Sequence, residues 1–344
     1  MKTAVLVIIL FCIMIFPHEL GHFIAARRMG VKVNEFAFGM GPAIWKKQGE
    51  ETLYSIRLFP IGGFCAMEGE DGSEGETHDP RAFNNKKPWQ KIIILAAGSF
   101  MNIVCAVVIM SLVVGIMGFT TTTIDIVSEG YPAAEAGILP GDKILQIDDT
   151  VINEWNDVST AIYAAGGAEM DVIIKRGGQT ETVKLTPATE NGTDANGNPV
   201  TGYVIGITCK VSHSPFKAVI TGVQSTGNMV VTLFDSLGMI VSGEAGVDDL
   251  SGPVGMVTLV DQTLDYGFWY YGFLTAFICI NLAVVNMLPL PALDGGRILF
   301  ALYTAITGKA VSEKVEGVIH LGGMMLLFAL MIYVTFNDLI RIFG

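Results

Sequence analysis

Four long apolar blocks constrain the fold of this chain more than any other feature of its sequence. They cover residues 3–26, 92–119, 268–290 and 317–337, the first being interrupted only by a short polar string. Each block reaches the roughly 20 residues that a helix needs to cross a hydrocarbon core. Hydrophobic residues make up 51% of the chain and charged residues 16%, against roughly 25% charged in globular domains. We therefore predict a polytopic α-helical membrane protein with about four transmembrane helices.

The distribution of basic residues predicts how these helices are oriented. Of the 21 Lys and Arg residues, 10 lie in the 24–91 connection and 6 in the 119–267 connection, which is about twice as long. The positive-inside rule then places 24–91 in the cytoplasm, and both termini and 119–267 outside it. The outer region carries 19 of the 33 acidic residues. An acidic surface argues against nucleic-acid binding, which needs a basic face.

The two long connections differ in their predicted structure. A Gly-rich, alternating pattern over 36–64 predicts short β-strands, in a hairpin lying against the membrane. The acidic run over 68–76 predicts a solvated loop. Residues 191–198 are a polar linker, and the Gly-punctuated amphipathic stretch over 215–267 is expected to lie on the outer membrane surface.

The strings between 121 and 188 resemble a bacterial PDZ domain. The most specific of them is P-A-x-x-A-G-I-x-P-G-D-x-I, which starts at Pro132 and ends at Ile144. PDZ domains are α+β modules that capture extended peptide ends by adding a strand to a sheet edge. The resemblance implies either a gate or substrate sensor or a simple spacer, and the sequence leaves both open.

A short polar string inside the first apolar block carries the clearest chemistry. His18-Glu19-Leu20-Gly21-His22 is an H-E-x-x-H pattern. On a helix the two imidazoles share one face and can reach one metal ion, and Glu19 beside them can accept a proton from activated water. A charged residue inside an apolar helix costs roughly 2.5–3.5 kcal/mol on insertion scales, which a bound cation would offset. The alternative is a set of polar residues at an interfacial helix end.

A third ligand is needed, because a catalytic zinc ion keeps three protein ligands and one open position. The other three histidines lie in the acidic loop, in the outer region and in the last helix. Asp294 is the better candidate, since it follows an apolar helix that Pro289 and Pro291 interrupt. Freed backbone groups at membrane depth are tolerated where they line a cavity, and the predicted orientation puts Asp294 on the same side as His18 and His22.

Together these motifs resemble the site-2 protease family of intramembrane zinc metalloproteases, in its RseP-type branch with a single PDZ domain. The resemblance is carried by H-E-x-x-H in the first helix, by N-x-x-P-x-P-x-L-D-G from Asn286 to Gly295, and by the inserted PDZ strings. It implies one Zn²⁺ per chain held by His18, His22 and Asp294. It also implies hydrolysis by zinc-activated water, with Glu19 as general base.

The resemblance extends to substrate binding. It implies that Asn286, Pro289 and Pro291 line the substrate cleft, and that the 36–64 hairpin engages an extended substrate, with a pairing edge expected near 52–58. Gly98 to Asn102 resembles the G-x-x-x-N string of the family's second helix. The implied substrates are membrane-spanning proteins or peptides, such as pre-trimmed anti-sigma factors or remnant signal peptides. The implied location is the bacterial inner (plasma) membrane.

The predicted organisation follows the chain in seven segments. These are a first transmembrane helix with H-E-x-x-H (1–26), a cytoplasmic-side β-hairpin and loop region (27–90), a second transmembrane helix (91–119), an extracytoplasmic PDZ domain (120–189), a linker with membrane-surface segments (190–267), a third transmembrane helix with the proline motif (268–297), and a loop with a fourth transmembrane helix (298–344).

Two other functions stay open from the sequence. An intramembrane His/Asp site also suits a metal or ion transporter, although transporters are commonly built from repeats and no internal repeat is evident. A non-catalytic PDZ membrane scaffold would need no metal chemistry.

Overall fold

The computed structural model describes residues 2–70, 79–193, 199–244, 246 and 252–343. The chain divides into two compact units. One combines Met1–Val113 with Val219–Gly344, and the other is Val114–Ala218.

Within the described residues, four helices of the first unit are long and apolar enough to cross a membrane. They are α1 (Lys2–Arg28), α2 (Pro88–Met117), α7 (Phe268–Asn286) and α9 (Glu313–Phe343). α1 ends where Gly30 adopts a positive φ of 71°, a conformation that glycine reaches without strain. α2 begins with proline, whose missing N–H is not needed at a first helical position. The four predicted spans therefore correspond to four helices of the required length.

Two long bent strands form the β-hairpin of this unit, β1 (Val33–Gln48) and β2 (Leu53–Met67). Phe36 pairs with Cys65 on one side and with Tyr54 on the other, so the first half of β1 lies between the two halves of β2. The segment 53–56 also pairs with the second half of β1 and is an inner strand. The structure thus contradicts the predicted pairing edge near 52–58: among the described residues, 63–67 forms one of the two edges.

Among the described residues, three further helices lie in or extend into the first unit: α5 (Pro215–Ser242), α6 (Pro253–Asp265) and α8 (Asp294–Thr307). Met229 and Leu233 of α5 are buried against apolar side chains of α2 and α7. A Cβ atom at Gly222 would lie 2.3 Å from Ser111 Oγ, so α5 and α2 approach closely. Where the sequence suggested membrane-surface segments, α5 is instead a continuous helix packed into the helical bundle.

The second unit is an antiparallel sheet with two helices, α3 (Pro132–Glu135) and α4 (Trp155–Ala165). The strands of this sheet are β3 (Phe119–Val127), β4 (Lys143–Ile147), β5 (Thr150–Val151), β6 (Met170–Arg176), β7 (Gln179–Leu185) and β10 (Ile207–Ser212). Their order is β10-β3-β4-β6-β7, and β5 pairs with β4. Buried Ile, Val, Leu, Met and Ala side chains from the sheet and both helices form one core.

This unit extends beyond the predicted PDZ segment. The region expected to be a linker contains a hairpin, β8 (Ala188–Thr193) with β9 (Pro199–Val204), and it also supplies β10, which pairs with β3. Residues 194–198 of the predicted linker lie outside the described residues. The pattern of 190–212 is polar and Gly-rich, so the sequence signalled a turn but not the strands on either side of it.

A buried carboxylate holds the loop that carries the most specific PDZ-like string. Asp142 receives two hydrogen bonds from the Arg176 guanidinium, at 2.8 and 2.6 Å, and one from the Leu139 N–H at 2.8 Å. Burial alone would raise the pKa of Asp142, but these donors outweigh it and hold the pKa below its ordinary value. The interaction therefore stabilises the folded unit above the ordinary Asp pKa of about 3.9, and the stabilisation is lost as the pH falls.

We predict that Asp142→Asn lowers the unfolding temperature of residues 114–218 by about 5 °C or more at pH 7, because a bidentate charge-assisted contact is lost. The unfolding temperature is measured in the full chain, by following hydrogen exchange of peptides from 119–185 as the temperature is raised. The exposed Asp125→Asn makes the same charge change and should have no effect. If the unfolding temperatures of wild type and Asp142→Asn differed well below pH 3.9 by as much as they do at pH 7, the proposed role of the Asp142 carboxylate would be contradicted.

Candidate metal centre

Three side chains from distant parts of the chain converge in the first unit. His18 Nε2 and His22 Nε2 lie 3.1 Å apart. Asp294 Oδ2 is 3.3 Å from His18 Nε2 and 3.4 Å from His22 Nε2. Both histidines are 7% exposed, so the three atoms form a small triangle away from bulk solvent. Within the described residues, this is the one group of three or more His, Cys, Asp or Glu side chains whose ligand atoms come this close.

A backbone contact orients one of the two imidazoles, that of His22. His22 Nδ1 lies 2.9 Å from the Ile94 carbonyl oxygen, which can only accept. His22 therefore carries its proton on Nδ1 and directs the Nε2 lone pair toward the triangle. Metal-bound histidines commonly use this arrangement. Asn286 Nδ2 lies 3.2 Å from His18 Nε2, so the last residue of α7 also borders the triangle.

The dimensions of the triangle fit a tetrahedral zinc ion. With zinc–ligand bonds of about 2.0–2.1 Å, two ligands of a tetrahedral site lie about 3.3–3.4 Å apart. The three observed separations are 3.1, 3.3 and 3.4 Å. Asp294 Oδ2 is buried and accepts no hydrogen bond from the described residues, which leaves it available for a cation. Two imidazoles and one carboxylate are also a donor set that zinc hydrolases use.

Two glycines allow α1 and α2 to meet at this point. A Cβ atom at Gly21 would lie 2.2 Å from the Ala97 carbonyl oxygen. A Cβ atom at Gly98 would lie 2.4 Å from His22 Nε2 and 2.7 Å from His18 Cε1. Small residues at helix crossings let membrane helices approach at backbone distance. Here the close approach gives the two imidazoles their space.

The proline motif delivers Asp294 through a short irregular loop. α7 ends at Asn286, and Asp294 is the first residue of α8. Ala292 has a positive φ of 73°, which is unusual for a residue with a side chain. Its N–H donates to His320 Nδ1 at 2.9 Å, so this histidine of α9 supports the loop two residues before the proposed ligand.

A cavity of about 420 Å³ opens beside the triangle. Glu19 lines it together with all three proposed ligands, and the edge segment Phe64–Met67 forms another wall. A Cβ atom at Gly63 would lie 3.5 Å from Glu19 Cγ. An edge segment of the described hairpin, a carboxylate and the triangle of proposed ligands therefore share one cavity.

The structure brings together most, but not all, of the predicted site residues. His18, Glu19, His22 and Asp294 line the cavity, and Asn286 borders it. Pro289 is exposed and Pro291 packs against Gly323 of α9. Neither proline is a lining residue of the cavity. Both lie in the loop between α7 and α8, and their predicted contact with substrate stays a prediction.

One charged pair at this site is not evident from the sequence. The acidic run predicts Glu70 in a solvated loop, yet Glu70 lines the metal cavity and pairs with Arg297, one turn after Asp294 on α8. The Glu70 and Arg297 side chains are 15% and 22% exposed, and Met67 N–H donates to the other Glu70 oxygen at 3.3 Å. The pair thus joins the end of β2 to the helix that begins with Asp294. The one signal for this pair in the sequence is Arg297 itself. A cation next to an apolar segment requires an acidic partner.

Comparison with known proteins decides the family. The profile of peptidase family M50 matches residues 6–330. The chain belongs to peptidase family M50, the site-2 protease family. It is 37% identical over 338 residues to a provisionally named zinc metalloprotease of Clostridium acetobutylicum, covering 98% of this chain and 97% of the relative. In an alignment 423 residues long, it is 29% identical to the zinc metalloprotease RasP of Oceanobacillus iheyensis. This alignment covers all of both chains.

Membership in this family makes the chain a metalloprotease, and it confirms the predicted resemblance. A solved PDZ domain of an SdrC-like protein from Listeria monocytogenes also matches, at 24% identity and a TM-score of 0.19, covering 27% of this chain and 86% of that domain. A TM-score this low leaves the PDZ assignment of 120–189 a prediction.

We predict that Gly98→Ala removes the metal from this M50 protease. The new methyl group would overlap both imidazoles, and neither the α2 backbone nor the ligands can give way cheaply. Metal content of the purified protein, measured by elemental analysis, should fall several-fold. Gly238→Ala is the matched control, because this helical glycine has no atom within 4 Å of the added methyl group. Equal metal content in the two variants would contradict the proposed ligand geometry.

We also predict that Glu70→Gln lowers the rate of peptide cleavage by about tenfold or more with little change in metal content. The substitution leaves Arg297 as a half-buried cation without its counter-charge, and a shift of about 1 Å at an active site can cost up to 100-fold. Glu68→Gln is the control, since Glu68 has the same exposure but pairs with Lys32 and does not line the cavity. Similar losses in both variants would show that Glu70 has no special position.

Proposed function

We propose that this metalloprotease cleaves peptide bonds within or beside transmembrane segments, using one zinc ion held by His18, His22 and Asp294. The observation that carries the proposal is the triangle of ligand atoms 3.1–3.4 Å apart, with Glu19 on the same cavity. Two of the ligands lie on a helix that is long and apolar enough to cross a membrane. The names of the M50 relatives support zinc as the metal.

Zinc, when bound, would supply a Lewis acid that polarises the scissile carbonyl and acidifies a water molecule. The chain's own contribution begins with Glu19, whose carboxylate faces the cavity next to the ligands. Glu19 would accept the proton of the attacking water and then donate it to the nitrogen of the departing amine. Its position beside the ligands, rather than among them, leaves its oxygens free for this transfer.

Cleavage also requires that the substrate helix unwinds, because its peptide groups are protected by their own hydrogen bonds. The edge formed by 63–67 offers backbone donors and acceptors on the wall of the metal cavity. An extended substrate that adds to this edge would replace its helical hydrogen bonds with strand pairing. This supports substrate capture at 63–67 rather than at 52–58.

Asn286 would act on the substrate carbonyl. Its amide nitrogen lies 3.2 Å from His18 Nε2, so it borders the position where a scissile carbonyl must lie to reach the metal. An amide donor at this position would stabilise the oxyanion that develops during water attack, as side-chain amides do in other hydrolases.

The excess of basic residues in the 24–91 connection supports a cytoplasmic position for the hairpin side of the metal centre. We accordingly place both termini and the 114–218 unit outside the cytoplasm, in a bacterial inner membrane. In this arrangement the 114–218 unit would act as a gate or sensor for peptide ends. Pre-trimmed anti-sigma factors and remnant signal peptides are the substrate classes that the proposal favours. Membership in a peptidase family disfavours the transporter and the scaffold.

We predict that Glu19→Gln retains the metal but lowers cleavage of a model transmembrane peptide by about 100- to 10,000-fold, the usual contribution of a general base. Cleavage is followed by mass spectrometry of the products in detergent micelles, with metal content measured on the same samples. The exposed Glu244→Gln is the control and should cleave normally. A chelator should stop wild-type cleavage, and added zinc should restore it.

Full activity in Glu19→Gln would contradict the assignment of the base. Cleavage that persists after complete removal of metal would contradict the zinc mechanism as a whole. Metal uptake into vesicles without any cleavage would instead support the transporter.

A further inference from the structure

A second cavity, of about 150 Å³, lies on the other side of the Glu70–Arg297 pair from the metal centre. It is bordered by the turn at Phe83–Asn85, the first two turns of α2 and one face of α8. Arg297 lines this cavity, Glu70 lines the metal cavity, and Leu95 lines both. We propose that this second cavity binds the phosphate of an anionic phospholipid headgroup.

The charges that line the cavity favour an anion. Lys86, Lys91 and Arg297 are its cations, and Glu316 is its single acidic lining residue. Arg297 is neutralised by Glu70, and Lys91 Nζ lies 5.6 Å from the centre of the Phe83 ring. Lys86 makes no ion pair within the described part of the chain. An arriving phosphate would therefore meet at least one ammonium group, that of Lys86, that has no ion-pair partner among the described residues.

The surroundings of the cavity favour a lipid over a soluble anion. Trp89, in the first turn of α2, is 53% exposed, and exposed tryptophans are typical of the membrane–water interface. α8 presents exposed apolar side chains next to the cavity, of which Ile306 is 84% exposed and Tyr303 is 49% exposed. A ligand with a charged head and apolar chains would use both surfaces. Basic pockets beside transmembrane helices on the cytoplasmic side commonly hold such headgroups.

The proposal is independent of the catalytic assignment, because the lysines that test it, Lys86 and Lys91, do not line the metal cavity. Lipid binding should persist in the Glu19→Gln variant. A failure of the proteolytic proposal would therefore leave this proposal standing, and the reverse is also true.

The test is a titration of the purified full chain, in neutral detergent, with short-chain phosphatidylglycerol or phosphatidylcholine, with bound lipid counted by native mass spectrometry. We expect phosphatidylglycerol to bind at least tenfold more tightly. Lys86→Gln and Lys91→Gln should each weaken its binding about fivefold, the contribution of one lysine near a membrane surface. Lys86→Arg, which keeps the charge, should bind normally.

Lys87→Gln is the matched control, since Lys87 is exposed on the same segment but does not line the cavity. If Lys87→Gln weakened phosphatidylglycerol binding as much as Lys86→Gln, the attraction would be a diffuse surface effect and the proposed site would be overturned. Equal binding of the two lipids would overturn it as well. If glycerol phosphate displaces phosphatidylglycerol at equal concentration, the ligand is a soluble phosphate and the lipid assignment is wrong.

Discussion

The convergence of two imidazoles and a carboxylate inside an apolar helical bundle is the constraint on which the rest of this structure depends. Such groups are costly at membrane depth unless they are paired or bind a cation. The local architecture follows from that requirement. Gly21 and Gly98 let α1 and α2 touch, so that His18 and His22 have space. The proline loop, supported by His320 at Ala292, starts α8 at Asp294.

One helix connects the proposed chemistry to the proposed substrate edge. α8 begins with a proposed ligand and, one turn later, carries Arg297, whose partner Glu70 follows the end of β2. The strand edge at 63–67 and the metal triangle are therefore held by the same element. A displacement of α8 would change both at once. This explains why a charged pair that is not among the proposed metal ligands would matter to the reaction.

The sequence predicted those parts of the molecule whose signals are local. Long apolar runs indicated the four candidate spans, and the spacing of His18 and His22 placed both on one helix face. The proline-broken string pointed to Asp294. The parts that failed depend on partners distant in sequence. The inner position of 53–56 arises because β1 pairs with both halves of β2, and no local pattern encodes that. In the sequence Glu70 is one of a run of acidic residues, and only the fold pairs it with Arg297. Likewise, β10 joins β3 across 79 intervening residues.

X-ray absorption at the zinc edge of the purified, fully active protein tests the central claim most directly. The account predicts one zinc per chain in a shell of nitrogen and oxygen atoms at about 2.0–2.1 Å, with the outer-shell signal of two imidazoles. Cys65 also lines the cavity, so a competing site is easy to recognise. A sulfur ligand at about 2.3 Å, or a spectrum unchanged in His22→Ala, would contradict a metal centre built from His18, His22 and Asp294.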